Sequence, residues 1–413
     1  MRRAEIIAIG DELLSGETVD TNSSHIDRTL EGHGYAVRRH QTVPDDEALI
    51  AEALDEACAR AEVVVTTGGL GPTQDDLTFS AVARCLGVEL AFHAPTWERI
   101  VARYASRGRT PTDNNRRQAN LPAGGEPIVN EAGTAPGFTA TWRGARFFVL
   151  PGVPREMKWL LENAVLPRIP SGDLVVRTTV SAAGIGESAL EAEIQPVVEA
   201  HPNVRFGYRT QIFVNQVKLL GRGPDAGAEV QAAAAAVEAQ LGPRYFGEGE
   251  VTLEGATLEA LKAAGQTVAT AESCTGGYLA KVLTDIPGSS SAVLGGVVAY
   301  ANEVKVNLLG VSAEVLDREG AVSEAVARQM ASGVRETLGA TWGISTTGVA
   351  GPGGGTPTKP VGTVWLALAG PQGVESWLLE WSPRGRDGIR FATVRSALDR
   401  LRRSILDGDT ERL

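Results

Sequence analysis

Glu62-Val63-Val64-Val65-Thr66-Thr67-Gly68-Gly69-Leu70-Gly71-Pro72-Thr73-Gln74-Asp75-Asp76 is the stretch that decides the fold of the first part of the chain. Glu62 to Thr66 reads as a strand, the glycines as a turn, and Leu77 to Leu86 as the helix that follows. The same rhythm precedes it: Glu5 to Ile9 extended, about Asn22 to His33 helical, Tyr35 to Arg39 extended, Asp45 to Ala61 helical. Short strands alternating with helices specify an α/β fold with a parallel sheet. Such sheets bind ligands outside the carboxyl ends of their strands, which makes the Gly68 loop a candidate site.

Working outward, Pro95 to Arg107 reads as a helix, Phe138 to Trp142 and Arg146 to Leu150 as strands, and Pro151-Gly152-Val153-Pro154 as the start of a helix to about Leu166. After Pro167 to Gly172 a compact βαββα pattern is predicted: Val175 to Ala182, Glu187 to Ala200, a broken Val204 to Leu220 and Asp225 to Leu241, with Tyr245-Phe246 as a last strand. A third unit begins near Gly255 with a helix to Ala264, the strand Thr267 to Ala271, a helix after Thr275 and a buried strand from Ala292 to Tyr300. The helix Ser323 to Leu338, the strands Trp342 to Thr346, Val361 to Ala369 and Val374 to Trp381, and the helix Asp387 to Leu406 complete it.

With 413 residues, 43% hydrophobic and 22% charged, the composition is that of a globular chain of two to four domains. The net charge of -11 is spread along the chain, so a phosphate-neutralising nucleic-acid footprint is not expected. Cys58, Cys85 and Cys274 form no CxxC and read as reduced thiols of a cytoplasmic protein. The apolar run Ile6 to Ile9 is too short for a signal peptide or a membrane span, so no membrane association is expected. His25, His33, His40, His93 and His201 contain no metal-binding spacing and read as surface or capping residues.

In the first unit, Gly68, Gly69 and Gly71 let backbone N–H groups approach an anion, with Thr73 beside them and a helix start behind. Asp75 and Asp76 would repel a bare phosphate and therefore suggest a divalent metal ion between carboxylate and phosphate. Asp11 and Glu12 follow the first strand with no evident capping duty and join them as candidate metal ligands. Asp20 or Thr21 reads as a helix N-cap. Two further loops, Asn130 to Gly137 and Pro151 to Glu156, add glycine, proline and charge at what should be the same sheet edge.

In the last unit the strand Thr267 to Ala271 delivers Glu272-Ser273-Cys274-Thr275-Gly276-Gly277 onto a helix start. Such a turn can hold a phosphate or activate a nucleophile, or Ser273 or Thr275 can simply cap the helix. Lys305, in Tyr300-Ala301-Asn302-Glu303-Val304-Lys305, lies just after another sheet edge and would serve as a base if its surroundings depress its pKa. Thr346-Thr347-Gly348-Val349-Ala350-Gly351-Pro352 leaves a third strand. Cys274 is an alternative nucleophile without a neighbouring histidine.

The first set of segments, over about Ala4 to Leu166, resembles the molybdopterin-binding-like (MoCF) domain at the N-terminus of the CinA family. The second, over about Thr257 to Leu406, resembles the CinA C-terminal domain, and the stretch between them the family's small KH-like α+β domain. The resemblance implies an α/β protein with a parallel-sheet domain at 1–170, a linker or dimerisation domain at 171–252 and an amidohydrolase domain at 253–413. It implies metal-dependent ADP-ribose pyrophosphatase activity, with phosphate at Gly68 to Thr73 and a divalent ion near Asp75 or Asp76. It further implies nicotinamide mononucleotide amidohydrolase activity, with Ser273 as nucleophile and Lys305 as its base. Thr347 stands with this catalytic group, Tyr300 and Arg390 position substrate, and Thr275, Gly276, Gly277, Gly348 and Gly351 line the site. A homodimer is implied as well. Two other readings stay open: an amidase whose N-terminal domain binds molybdopterin, and a competence or DNA-repair accessory protein that catalyses nothing.

Overall fold

The computed structural model of the protein describes residues 2–382 and 384–410. It divides into two compact units: one runs to Val176 and includes Arg222–Ala226, and the other comprises Arg177–Gly221 and the chain from Gly227 onward.

The first unit is built on a six-stranded sheet in the order Tyr35–Val43, Arg2–Ile9, Val63–Thr67, Ala145–Leu150, Gly137–Trp142, Glu126–Ile128. The first four strands are parallel, Gly137–Trp142 runs antiparallel to them, and Glu126–Ile128 antiparallel to it. Val63–Thr67 is buried at every position, as a central strand covered on both faces must be. Because side chains alternate across a sheet, Ile7, Val64 and Phe147 face one way, onto helices Glu47–Arg60 and Thr78–Leu86. Ile6, Val65 and Phe148 face the other, onto helices Thr21–Gly32 and Pro154–Leu160. The helix expected to continue to Leu166 instead passes through a π turn at Leu161–Val165 and ends as a 3₁₀ turn at Leu166–Arg168. Pro167 has no N–H to continue the α pattern. Asp20 caps its helix as expected, accepting from the Ser23 amide.

The second unit contains two sheets. One is antiparallel where Arg205–Gln211 meets Val214–Arg222 and where Tyr245–Glu248 meets Val175–Ala183. The other has the order Val293–Val298, Val268–Glu272, Trp342–Gly348, Thr363–Gly370, Gly373–Glu380, its first three strands parallel. The two share one core: Ala183, Val214 and Phe246 pack in the same cluster as Leu258, Ile344 and Leu398. Arg395 reinforces this, donating to the Ile212 carbonyl (2.8 Å) and to Gln211 Oε1 (3.0 Å). The strand expected to be buried, Val293–Val298, is an edge strand whose residues alternate between half-buried and exposed. Helices Asn302–Leu309 and Ala313–Glu319 follow it in a stretch without a strong periodic signal. Among the described residues no helix is long and apolar enough to cross a membrane.

Candidate functional site

In the first sheet Ile9 pairs with Val43, Ala8 with Thr67, and Thr67 with Leu150, so the four parallel strands end almost level. The loops that leave them enclose a cleft of about 510 Å³. Its floor is cross-tied by Asn22, whose amide donates to Thr67 Oγ1 (3.1 Å) and to the Gly152 carbonyl (2.7 Å). Thr67 in turn donates to the Pro151 carbonyl (3.0 Å). Gly68, at φ +118°, passes so near the first strand that a Cβ would lie 2.1 Å from the Ile9 oxygen. Only glycine combines that conformation with that approach.

The expected metal ligands divide by role. Asp76 is turned into its own loop, where it accepts from the amides of Gly71 (2.6 Å) and Thr73 (2.7 Å) and from the Thr73 hydroxyl. Its first duty is to shape the glycine turn. Asp75 is exposed and is held below the usual carboxylate range, chiefly by hydrogen bonding from Thr73. Asp11 and Glu12 lie in the first turn of the short helix Asp11–Leu14, and, as expected, neither side chain caps it. The Asp11 amide donates to Asp45 (3.1 Å), a residue the sequence did not single out. Burial raises the pKa of Asp45, and the charges of Asp11, Glu12 and Asp75 add to the rise. Glu12, Asp45 and Asp75 all line the cleft. Among the described residues no three Cys, His, Asp or Glu side chains converge as a closed metal cage.

In the second unit Glu272 pairs with Val298 on one side and Thr346 on the other, which brings the Ser273 turn, Ala299-Tyr300 and Thr347 to one sheet edge. Neither Ser273 nor Thr275 caps the helix Tyr278–Thr284. The buried carboxylate of Glu272 does so, accepting from the amides of Leu279 (2.9 Å) and Ala280 (2.8 Å). Ser273 is left half-buried at the edge, its amide donating to the Thr346 carbonyl (2.9 Å). The Gly276 amide folds back onto the Ser273 carbonyl (3.2 Å) and is not free to hold an oxyanion.

Lys305 lies inside the helix Asn302–Leu309 that follows this sheet edge, 1% exposed. Its Nζ donates to the carbonyls of Ala299 (2.7 Å) and Tyr300 (3.3 Å), and burial lowers its pKa. Cys274 is buried and its thiol is pushed up to about 12, chiefly by burial. The Thr347 hydroxyl donates to the Ala321 carbonyl (2.6 Å), and Thr275 exchanges a hydrogen bond with Thr346 (2.6 Å), so both hydroxyls serve the scaffold here. Arg390 likewise spends its guanidinium on the Thr275 carbonyl (3.2 and 2.7 Å), bracing the turn from behind. Arg386, unnoticed in the sequence, bridges the Tyr300 hydroxyl (2.9 Å) and the Gly351 carbonyl (2.8 Å), tying two loops of this edge together.

Fold and sites define a class: an α/β protein with one glycine-loop cleft and one serine-bearing turn, each at the carboxyl edge of a sheet with parallel strands. Residues 5–171 match the family described as "Probable molybdopterin binding domain", and residues 250–405 the family described as "CinA C-terminal domain". The chain is 45% identical over 405 residues to a CinA-like protein of Anaeromyxobacter sp. (strain K), covering 97% of this chain and 99% of that one. It is 43% identical over 413 residues to a CinA-like protein of Desulfosudis oleivorans, covering 98% and 100%. It belongs to the CinA family. Among solved structures, the competence/damage inducible protein CihA from Agrobacterium tumefaciens is 45% identical over 36% of this chain and 91% of that one, with a TM-score of 0.36.

Proposed function

We propose that the chain is a hydrolase with two sites, an amidase at Ser273 that deamidates nicotinamide mononucleotide and a metal-dependent pyrophosphatase at the Gly68 cleft that acts on ADP-ribose. The observation that carries the amidase is the burial of Lys305 against two carbonyls at the sheet edge that bears Ser273. An ammonium has three N–H donors, and this one meets two carbonyl acceptors in a buried site. A neutral amine has two N–H groups for those two carbonyls and keeps a lone pair free. Burial lowers the pKa of Lys305 and so favours that neutral form.

Ser273 Oγ attacks the carboxamide carbon as its proton passes to the Lys305 amine. The C–N bond then breaks, the nitrogen takes that proton, and ammonia leaves. Water adds to the acyl carbon by the same route in reverse, and Ser273 recovers its proton as nicotinic acid mononucleotide departs. Cys274 is a poor rival, because a thiol held near 12 is almost never thiolate at neutral pH.

At the cleft the Gly68 to Gly71 backbone would receive phosphate, while Glu12, Asp45 and Asp75 offer hard oxygen ligands on one rim. A magnesium-type ion takes one or two carboxylates and completes its shell with substrate phosphates, so an open rim suits it without a cage. When bound, it would neutralise charge on the pyrophosphate. The match of residues 5–171 to a molybdopterin binding domain favours a second reading, in which this cleft binds a molybdopterin.

Ammonia release from nicotinamide mononucleotide tests the amidase: Ser273→Ala should lose at least about a thousandfold, Cys274→Ala only a few-fold. Activity surviving in Ser273→Ala sinks the serine mechanism. ADP-ribose hydrolysis with and without magnesium tests the cleft, and absence of metal-dependent turnover supports the pterin reading.

A further inference from the structure

The segment Asn130–Pro136 is a partition with a cavity on each side. Thr134 and Ala135 line the cleft described above, and Gly133, Thr134 and Pro136 line a second cavity of about 460 Å³. The partition is held firmly. Asn130 Oδ1 accepts from the amides of Ala132 (3.0 Å) and Gly133 (2.9 Å), and its amide donates to the Ala135 carbonyl (2.8 Å) and Glu156 Oε2 (2.7 Å). Arg103 braces it from the second cavity, donating to the carbonyls of Glu131 (2.9 Å) and Ala132 (2.6 Å).

The two cavities differ in chemistry. The cleft presents several carboxylates and glycine backbone, whereas the second sets Pro95, Ile100, Pro127 and Val129 beside His93, Arg103, Glu131 and the exposed Arg99. Arg99 has no hydrogen-bond or ion-pair partner among the described residues. With Arg103 engaged by backbone carbonyls, the aliphatic wall and the unpaired guanidinium of Arg99 suit a flat heteroaromatic ring, which buries its edges against aliphatic carbon and stacks on a guanidinium.

We propose that the second cavity is a nucleobase subsite of the N-terminal cleft. Its ligand is then a nucleotide that crosses the Thr134 partition, phosphates on the glycine loop and base beside Arg99. The inference rests on reading the cleft as a phosphate site, and it excludes a bare sugar phosphate as the ligand for which the site is shaped.

Calorimetric titration of the full chain in magnesium, with ADP-ribose and with base-free ribose 5-phosphate, tests it in Arg99→Ala and Val129→Trp. Both positions are exposed, so the fold should tolerate either change. ADP-ribose affinity should fall about tenfold in each variant, while ribose 5-phosphate affinity stays within about twofold. Unchanged ADP-ribose affinity in both variants, with the unaltered protein binding normally, overturns the base placement alone. Equal losses for both ligands also overturn it. Failure of the unaltered protein to bind ADP-ribose overturns the phosphate-site reading together with this one.

Discussion

The two sheet edges handle charge in opposite ways. At the Gly68 cleft the ionisable groups line an open wall, Asp75 exposed and Asp45 raised partly by its acidic neighbours. At the Ser273 turn they are buried: Glu272 and Lys305 are each 1% exposed, and Cys274 is buried as well. An edge that leaves like charges facing solvent is waiting for a ligand to bring the opposite charge. At the other edge, burial lowers the pKa of Lys305, the direction that general-base chemistry needs. On the proposed function, the contrast separates a site suited to binding from a site suited to proton transfer.

The contrast can be broken most directly at Lys305. Lys305→Met should lower kcat/KM for ammonia release by about 10² to 10⁴. In the unaltered chain the rate should climb as pH rises through the lowered pKa of Lys305, because the neutral amine is the active form, and the variant should lack that limb. Stability has the same sign: the unfolded chain holds the proton up to the ordinary 10.5, so folding gains as pH rises between the lowered value and 10.5. A variant with an unchanged pH profile would place the base elsewhere.

Gly68→Ala attacks the other edge. The 2.1 Å approach to Ile9 and the positive φ should cost about 3 kcal/mol, read by chemical denaturation. ADP-ribose hydrolysis should disappear while ammonia release persists. Loss of both activities would deny that the two chemistries are separable. Asp76→Asn sharpens the picture with a smaller effect, about 1–3 kcal/mol from the weakened Gly71 and Thr73 hydrogen bonds, against less than about 0.5 for Asp75→Asn. Equal stability changes with unequal magnesium affinities would make Asp76 the ligand after all.

Much of this was legible in the sequence because its carriers are local. The alternation of short strands and helices gave the parallel sheets, and glycine-rich stretches after Thr67 and Glu272 marked the carboxyl edges. What escaped depends on partners distant in the chain or on burial. Arg386 meets Tyr300 across 86 positions, and Asp45 acts on a loop that starts 34 positions earlier. Glu272 was in view, but its capping role depends on a turn that sends the chain back over it. Lys305 could be placed only after a sheet edge, because helix Asn302–Leu309 has little amphipathic pattern. Its burial comes from packing against the sheet edge, not from its own segment.

Asn22 carries a last consequence. By fastening Thr67 and Gly152 to one amide, it makes the cleft floor a single rigid piece before any ligand arrives. The entropy of ordering those two loops is then spent in folding and not at each encounter, which on the proposed function would favour affinity.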